Sequence, residues 1–174
     1  MYDLANRIAI VTGAASGIGR AIAVRLAREG CDVGIFDQSQ AGAEETADLV
    51  QALGRRAAIA VGSVAERPDV DRCVATLQAA LGSADILVNS AGILRVGAVL
   101  EQAHADFAAQ FRVNVDGTFH VCQAVVPGMV ARGRGSVVNL ASWLGKKGMK
   151  LYGGYAASKF AVIGLTQTLA LEIA

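Results

Sequence analysis

Five short, mostly apolar runs, each leading into a stretch with helical character, constrain most strongly what this chain can fold into. The runs are Ile8–Val11, Asp32–Phe36, Ala57–Val61, Ile86–Asn89 and Ser136–Leu140. Continuous apolar runs of this length are typical of strands buried on both faces, and strands that alternate with helices form parallel sheets. The sequence therefore predicts an α/β fold, an open and doubly wound parallel sheet in three layers, with helices on both faces.

Helices are predicted between the strands and after the last one. They extend from Ile18 to about Gly30, from about Ala43 to Leu53, from near Pro68, from Gln102 to about Val115, from Gly117 to Met129, and from Tyr155 to the end. The last of these carries only Lys159 and Glu172 as charged residues and is apolar nearly all round. We expect one of its faces to cover the sheet and the other to meet a second subunit, giving a homo-oligomer, a dimer or a tetramer.

Composition narrows the class of protein. At 174 residues, 53% of them hydrophobic, the chain is expected to form a single domain, residues 1–174, with a substantial core. A net charge of +1 without a basic block argues against a nucleic-acid partner. Three dispersed cysteines predict free thiols, and two distant histidines predict no metal site. With no leader and no membrane-length apolar run, the protein is expected to be soluble and cytoplasmic.

The turn after the first strand is rich in glycine. Thr12 is followed by Gly13, Gly17 and Gly19 in the spacing Gly-x-x-x-Gly-x-Gly, and a helix comes next. Strand, glycine turn and helix together place backbone N–H groups and a positive helix end against a pyrophosphate. A plain tight turn is the alternative interpretation of this motif alone.

Polar or small residues end two further strands. Asp37 follows the second strand, where an acid can accept hydrogen bonds from the adenosine ribose and repel a 2′-phosphate; this favours NAD over NADP. A loop-capping aspartate is the alternative. The fourth strand ends in Asn89 and continues through Ser90 to Ala91 and Gly92, whose small size would let a cofactor approach the backbone, although a simple turn would look the same.

The final helix begins with Tyr155 and Lys159, one turn apart on the same face. A phenol has a pKa near ~10, and lowering it by about three units takes roughly 4 kcal/mol. A cation at ~4 Å supplies about that much at an effective dielectric constant of ~20. The pair can therefore provide a proton donor and acceptor near neutral pH, although helix surfaces often carry both residue types without any function.

Together these motifs resemble the short-chain dehydrogenase/reductase family, and the resemblance covers essentially the whole chain. The residues that carry it are Thr12-Gly13-x-x-x-Gly17-Ile18-Gly19, Asn89-Ser90-Ala91-Gly92, Asn114, Ser142 and Tyr155-x-x-x-Lys159, in the family's order. The resemblance implies a Rossmann-type NAD(P)-binding domain that interconverts a carbonyl and an alcohol by hydride transfer.

The resemblance also implies roles for individual residues. Tyr155 would act as the acid and base, Lys159 would bind the nicotinamide ribose and lower the tyrosine pKa, Ser142 would hydrogen-bond the substrate oxygen, and Asn114 would position a proton-relaying water. Alone, Ser142 and Asn114 would be interpreted as cap or turn residues. The implied cofactor contacts are Gly13, Ser16, Gly17, Ile18, Gly19, Asp37, Ser63, Val64, Asn89, Ala91, Gly92, Tyr155 and Lys159.

The chain departs from the family pattern in two places. Ser63 stands where the family commonly has an acid that contacts the adenine. The family also continues beyond Ala174 with two further strands, so an incomplete domain with a bare edge at the fifth strand is expected. An NAD-linked enzyme is therefore the first hypothesis, and a catalytically impaired cofactor-binding or oligomerising fragment is the second.

The substrate is expected to be a small alcohol or carbonyl compound, and a polyol and a 3-oxoacyl thioester are equally defensible. Arg95, Lys146, Lys147 and Lys150 either attract an acidic substrate or are solvated surface charges, and the second interpretation is favoured at this point.

Overall fold

The structure is a computed structural model that describes residues 4–173. Its strands are β1 (Ile8–Thr12), β2 (Asp32–Asp37), β3 (Ala57–Val61), β4 (Ile86–Asn89) and β5 (Ser136–Asn139). Its α-helices are α1 (Gly17–Arg28), α2 (Gln40–Gln51), α3 (Arg67–Leu81), α4 (His104–Phe111), α5 (Gly117–Ala131) and α6 (Gly153–Ile173). A π-helical turn, Arg112–Asp116, joins α4 to α5, and a 3₁₀ turn, Trp143–Gly145, follows β5.

The strands form one parallel sheet in the order β3-β2-β1-β4-β5, which confirms the predicted doubly wound fold. The chain winds outward from β1 in one direction to β3 and then returns to build the other half from β4. At the carboxyl edge, Thr12 of β1 is in register with Phe36 on one side and with Asn89 on the other. The point between β1 and β4, where the winding reverses, is where open α/β sheets bind ligands.

Alternate side chains of the central strands contribute to two apolar cores, one on each face of the sheet. Ile10 and Leu87 belong to the core under α3 and α5, whereas Val11 and Val88 belong to the core under α1 and α2. Both faces are therefore buried, which explains the continuous apolar runs of the sequence. Fully burying a side chain such as Ile10, which is 1% exposed, contributes about 1.5–3 kcal/mol.

Strand β5 has a paired neighbour on one side only among residues 4–173, as predicted for an edge strand. Its side chains are exposed or half-buried, and Val138 is 48% exposed. Beside this strand lies an open groove of about 460 Å³ between α5 and α6, which we call the β5 groove. It is lined by Val126, Met129, Val130, Gly133, Arg134, Gly135, Val137, Asn139, Thr166, Leu169, Ala170 and Ile173.

Helix α6 starts at Gly153, two residues before the predicted start, and buries only part of its surface. Its amino-terminal half is buried at Ala156, Ser158 and Lys159, whereas Leu171 near the other end is 86% exposed. Within residues 4–173, every helix is too short or too polar to cross a bilayer.

Candidate active site

A cleft of about 580 Å³ opens at the carboxyl edge of the sheet, above the point where the winding reverses. Two groups of predicted site residues, the glycine turn and the Tyr155–Lys159 pair, line this one cleft. The predicted residues on its wall are Gly13, Ser16, Gly17, Ile18, Gly19, Asp37, Val64, Ala91, Gly92, Tyr155 and Lys159. Four predicted residues, Ser63, Asn89, Asn114 and Ser142, lie outside the lining.

The glycine turn needs its glycines for two separate reasons. Gly13 and Gly17 have φ angles of +65° and +53°, which side chains other than glycine adopt only with strain. A Cβ atom on Gly13 would also lie 2.7 Å from the Cα of Ala91, and one on Gly19 would lie 2.1 Å from the carbonyl oxygen of Gly13. The turn therefore packs backbone against backbone, which brings β1 and α1 close together.

The first turn of α1 is open toward the cleft. Ser16 occupies the N-cap position, but its side chain makes no capping hydrogen bond, and the first turn carries no acidic residue. The first N–H groups of a helix have no partner inside the helix, and they favour a negatively charged ligand. Ile18 of the same turn is 67% exposed on the wall of the cleft.

Thr12, a residue to which the sequence assigned no role of its own, connects the ends of β1 and β4. Its hydroxyl oxygen accepts hydrogen bonds of 3.1 Å from the N–H groups of both Ser90 and Ala91, and the residue is 1% exposed. The signal that could have identified it is a hydroxyl residue at the end of an otherwise apolar strand, directly before the glycine turn.

Asp37 is held in place by the backbone on both sides. One carboxylate oxygen accepts a hydrogen bond of 2.9 Å from the N–H of Ala15, and the other accepts one of 3.0 Å from the N–H of Ser39. The side chain therefore caps a loop and also lines the cleft. Each carboxylate oxygen can accept a further hydrogen bond, which leaves capacity for a bound hydroxyl group.

Behind the turn, Arg20 connects it to α2. The guanidinium donates to the carbonyl oxygens of Ala15 and Gly42 and forms an ion pair of 2.7 Å with Glu45. The hydroxyl of Thr46 donates to the carbonyl oxygen of Ala14 at 2.9 Å. The sequence alone does not reveal this support, because it depends on residues about 25 positions apart that only the fold brings together.

Lys159 reaches from α6 to the end of the sheet. Its Nζ atom donates a hydrogen bond of 2.7 Å to the carbonyl oxygen of Leu140, the residue after β5, and lies 5.7 Å from the centroid of the Tyr155 ring. The residue is 5% exposed, and burial lowers the pKa of its ammonium group. Tyr155 and Lys159 therefore lie together on the same cleft, as the spacing of four residues predicted.

Asn114 lies in the π-helical turn and is 1% exposed. Its Oδ1 atom accepts from the N–H of Ile93 at 2.8 Å, and its Nδ2 atom donates to the carbonyl oxygen of Ile93 and the hydroxyl of Ser158, both at 3.0 Å. Ser158 in turn donates to the carbonyl oxygen of Tyr155 at 2.7 Å. The amide group thus joins the loop after β4 to the helix that carries Tyr155.

Gly92 lies close to the side chains of both Asn114 and Lys159. A Cβ atom built on Gly92 would lie 3.2 Å from Oδ1 of Asn114 and 3.6 Å from Nζ of Lys159. The backbone after β4 therefore passes close to both the Asn114 amide and the Lys159 ammonium group.

Ser142 is the N-cap of the 3₁₀ turn. Its Oγ atom accepts a hydrogen bond of 3.2 Å from the N–H of Leu144. Since this contact uses the oxygen as an acceptor, the hydroxyl proton remains available for a hydrogen bond to another group. The capping interpretation of Ser142 is therefore compatible with a role in substrate binding.

The side chain of Asn89, one of the cofactor contacts implied by the family resemblance, lies away from the lining of the cleft. It is 4% exposed and faces the core under α5, where its Nδ2 atom donates to Oδ1 of Asn139 at 2.8 Å and to the sulfur of Cys122 at 3.4 Å. The register places Asn89 beside Asn139, so the two amides pair across neighbouring strands. Asn139 continues the chain of hydrogen bonds to the hydroxyl of Thr166 on α6, at 2.9 Å.

Ser63 also lies outside the lining of the cleft, and its side chain forms local hydrogen bonds. Its hydroxyl accepts from the N–H of Ala65 at 3.2 Å and from Nε2 of Gln38 at 3.4 Å. Its neighbour Val64 is 5% exposed and does line the cleft.

Among residues 4–173, histidine, cysteine, aspartate and glutamate form no cluster that could hold a metal ion.

Comparison with known proteins identifies the family. The family model described as "short chain dehydrogenase" matches residues 7–174. The chain belongs to the short-chain dehydrogenase family. This short-chain dehydrogenase is 40% identical to the sorbitol dehydrogenase of Cereibacter sphaeroides over 171 residues, which are 98% of the chain and 66% of the relative.

Other relatives of this short-chain dehydrogenase carry different names. It is 40% identical over 180 residues to the (3R)-3-hydroxyacyl-CoA dehydrogenase of Rattus norvegicus, covering 98% of the chain and 69% of the relative. The crystal structure of an NAD⁺-bound xylitol dehydrogenase superimposes with a TM-score of 0.96 at 34% identity, covering 99% of this chain and 66% of that one. The chain thus spans about two thirds of the length of these relatives.

Proposed function

We propose that this chain is an NAD-linked oxidoreductase that interconverts a carbonyl and an alcohol. The observation that carries the proposal is that Tyr155 and Lys159 share one cleft with the glycine turn and Asp37. Relatives named as sorbitol and D-threitol dehydrogenases, and a 3-oxoacyl-[acyl-carrier-protein] reductase, support an activity on hydroxyl and carbonyl groups.

The residues of the cleft fit a nicotinamide dinucleotide. The turn of Gly13 and Gly17 leaves no side chain between the backbone and a pyrophosphate, and the uncapped first turn of α1 offers N–H donors and a partial positive charge. Asp37 would accept hydrogen bonds from the adenosine ribose, and its charge would repel a 2′-phosphate. Bound structures of the xylitol dehydrogenase and of a carveol dehydrogenase from Mycobacterium avium with NAD support the same class of cofactor.

A bound nicotinamide cofactor would supply hydride to the reacting carbon of the substrate or accept it from there. In the direction of reduction, the hydroxyl of Tyr155 would give its proton to the carbonyl oxygen of the substrate, so that the alcohol and a phenolate would result. The Lys159 ammonium stabilises this phenolate by Coulomb attraction across a partly buried cleft, where the attraction is stronger than in water. Its hydrogen bond to Leu140 keeps the ammonium close to Tyr155.

Two residues that do not line the cleft support the reaction from its margin. Ser142 has a free hydroxyl proton and would donate it in a hydrogen bond to the substrate oxygen. Asn114 holds the backbone at Ile93 and the carbonyl oxygen of Tyr155 through Ser158, and so fixes the distance between the two walls of the cleft. A water relay from this turn to Lys159, as the family resemblance implies, is part of the proposal.

The test combines cofactor binding with turnover. NADH binding is followed by fluorescence, and oxidation of NADH is followed with ketone substrates, for the wild-type chain and for Tyr155→Phe. We expect the variant to bind NADH equally well and to lose activity by at least about 10²-fold, since it lacks the proton donor. Unchanged turnover in Tyr155→Phe would refute the catalytic assignment. NADH binding without turnover in the wild type would favour a cofactor-binding module.

A further inference from the structure

The lysines of this chain are confined to one region. All four, Lys146, Lys147, Lys150 and Lys159, lie within 14 residues, whereas the arginines are spread from Arg7 to Arg134. In addition, the sequence contains no aspartate or glutamate between Asp116 and Glu172. A net charge of +1 for the whole chain thus conceals a strongly positive stretch around the proposed active site.

The first three of these lysines are exposed, and the described part of the chain offers them no partner of opposite charge. Ten of the arginines form ion pairs with carboxylates, but Lys146, Lys147 and Lys150 form none within residues 4–173. The Nζ atom of Lys147 instead lies over an aromatic ring, 4.4 Å from the centroid of Trp143. The three ammonium groups are therefore available to a ligand.

These lysines lie on the segment that connects the two proposed catalytic groups. The segment begins after Ser142, which caps its first turn, and ends before Tyr155. It is joined to the loop after β4 by a hydrogen bond of 2.9 Å from the N–H of Gly97 to the carbonyl oxygen of Leu151. A substrate whose reacting carbon lies between Ser142 and Tyr155 therefore has this segment beside it.

Exposed apolar side chains lie on the same segment as the three lysines and on the loop after β4 that is hydrogen-bonded to it. Trp143 is 56% exposed, Met149 and Leu151 are 40% and 41% exposed, and Leu94 and Val96 on the neighbouring loop are 41% and 54% exposed. Single exposed apolar residues are common, but a group of them next to unpaired cations forms a surface that is both apolar and positively charged. Such a surface can bind a ligand that has an apolar part and an anionic group.

We infer that the substrate of this site carries an anionic group, a phosphate or a carboxylate, away from its reacting carbon, and that Lys146, Lys147 and Lys150 bind it. The inference rests on the proposed function and narrows it, because a neutral polyol has no group for these cations. Since the lysines are exposed, each contributes modestly, about two- to fivefold in affinity at low salt, and the contribution falls as salt rises. Two sources share this chemistry: the phosphates of a carrier such as coenzyme A, and a carboxylate of the substrate itself.

The first test is a binding measurement that requires no catalysis. Trp143 is the only tryptophan of the chain, so its fluorescence reports directly on this segment. The chain is titrated at saturating NAD⁺ with coenzyme A, with pantetheine, which lacks phosphate, and with acetoacetate, and Kd is fitted for each. We expect coenzyme A or acetoacetate to bind at least about tenfold more tightly than pantetheine at low salt, and the difference to shrink at high salt.

The pattern of binding identifies the source of the anion. Tight binding of coenzyme A alone assigns a carrier phosphate, and tight binding of acetoacetate alone assigns a carboxylate. If neither binds more tightly than pantetheine, the inference is overturned.

Matched variants locate the effect. Lys146→Gln, Lys147→Gln and Lys150→Gln each remove one exposed charge. Arg28→Gln, the control, removes an exposed charge on α1 that forms no ion pair with any residue from 4 to 173. Each lysine variant should weaken binding of the anionic ligand about two- to fivefold and leave pantetheine unaffected, while Arg28→Gln should change neither. Equal effects of all four variants would indicate general charge attraction and would overturn the assignment to this segment.

Turnover separates this inference from the proposed function. The chain is assayed with 3-oxobutanoyl-CoA and with the N-acetylcysteamine thioester of the same acid, which presents the same carbonyl group without phosphates. If neither is reduced, the proposed function fails, while the Trp143 titration still decides the question of anion binding. If both thioesters are reduced with equal kcat/KM, and acetoacetate binds no more tightly than pantetheine, the proposed oxidoreductase activity stands and the inference of an anionic substrate fails.

Discussion

Lys159 donates a hydrogen bond of 2.7 Å from its Nζ atom to the carbonyl oxygen of Leu140, so the end of the edge strand holds the ammonium group beside Tyr155. The ammonium has no carboxylate partner within residues 4–173, and a carbonyl oxygen compensates its burial only in part. The lysine is therefore costly to bury, which is typical of a residue retained for function rather than for stability.

Replacing Lys159 should separate activity from stability. Lys159→Met keeps most of the side-chain stem but removes the charge, and should lower kcat/KM by about 10²-fold or more, whereas Lys159→Arg should retain part of the activity. Steady-state assays of NADH oxidation measure both. If Lys159→Met were as active as the wild type, the ammonium would have no part in the reaction.

The pH dependence of stability follows from the same burial. Burial lowers the pKa of Lys159, so the folded protein releases this proton at lower pH than the unfolded chain does. The unfolded state then binds more protons in the window below the ordinary lysine pKa, and stability rises with pH there. Urea unfolding of the wild type and of Lys159→Met, from about pH 7 to about pH 10, should show this rise in the wild type only.

Asp37 should determine the choice between the two nicotinamide cofactors. Asp37→Asn removes the negative charge but keeps the size of the side chain, and should reduce the preference for NADH over NADPH by about tenfold or more. Dissociation constants from fluorescence titration with both cofactors measure the ratio. Asp48→Asn, an exposed charge change on α2, is the control and should leave the ratio unchanged.

Gly13 and Gly17 form a matched pair of backbone positions. Both have positive φ angles, but a Cβ atom on Gly13 would lie 2.7 Å from the Cα of Ala91, whereas one on Gly17 would meet no atom of the described residues within 4 Å. Gly17→Ala should therefore lose only the conformational cost of about 1–2 kcal/mol, and Gly13→Ala should lose clearly more. Denaturant unfolding compares the two, and equal losses would contradict the close approach to Ala91.

Thr12 should be sensitive to the loss of its hydroxyl group and tolerant of the loss of its methyl group. Thr12→Val leaves the partly buried N–H groups of Ser90 and Ala91 without their acceptor, which should cost about 2–5 kcal/mol of the free energy of unfolding. Thr12→Ser keeps the oxygen and should cost less than about 1.5 kcal/mol. A similar loss in both variants would show that packing, and not hydrogen bonding, matters at this position.

The buried cysteines should be inert in the folded protein. Burial raises the pKa of Cys31 and of Cys122 to about 11 from the ordinary value of 9.0. Only a thiolate reacts rapidly, so at about pH 8 both thiols should resist a disulfide reagent until the chain is unfolded. Because the folded pKa is raised, the stability due to these protons is complete below pH 9.0 and is lost as the pH rises toward 11. Rapid labelling of the native chain would contradict the burial.

The sheet could be predicted almost residue by residue, because buried parallel strands leave uninterrupted apolar runs in the sequence. The predicted runs at Ala57–Val61 and Ile86–Asn89 have the same bounds as β3 and β4. The location of the glycine turn and of the Tyr155–Lys159 pair could also be predicted, because each motif depends on spacing within one turn or one helix. Their roles in cofactor binding and catalysis stay predictions.

Other features depend on geometry that the sequence does not encode locally. The predicted helix from Gln102 to Val115 is α4 followed by the π-helical turn, because apolar periodicity does not distinguish a local change in hydrogen-bonding pattern. The direction of the Asn89 side chain could not be predicted either, because a strand presents alternate side chains to opposite faces, and only the register decides which face is which.

The double contact made by Thr12 has a consequence for ligand affinity. One oxygen atom that accepts from two consecutive N–H groups prevents the ends of β1 and β4 from moving apart or sliding past one another. The spacing between these two strand ends, which lie beneath the cleft, is therefore fixed before a ligand binds. Ligand binding then requires little reorganisation of the protein, and a smaller cost of reorganisation gives a higher affinity.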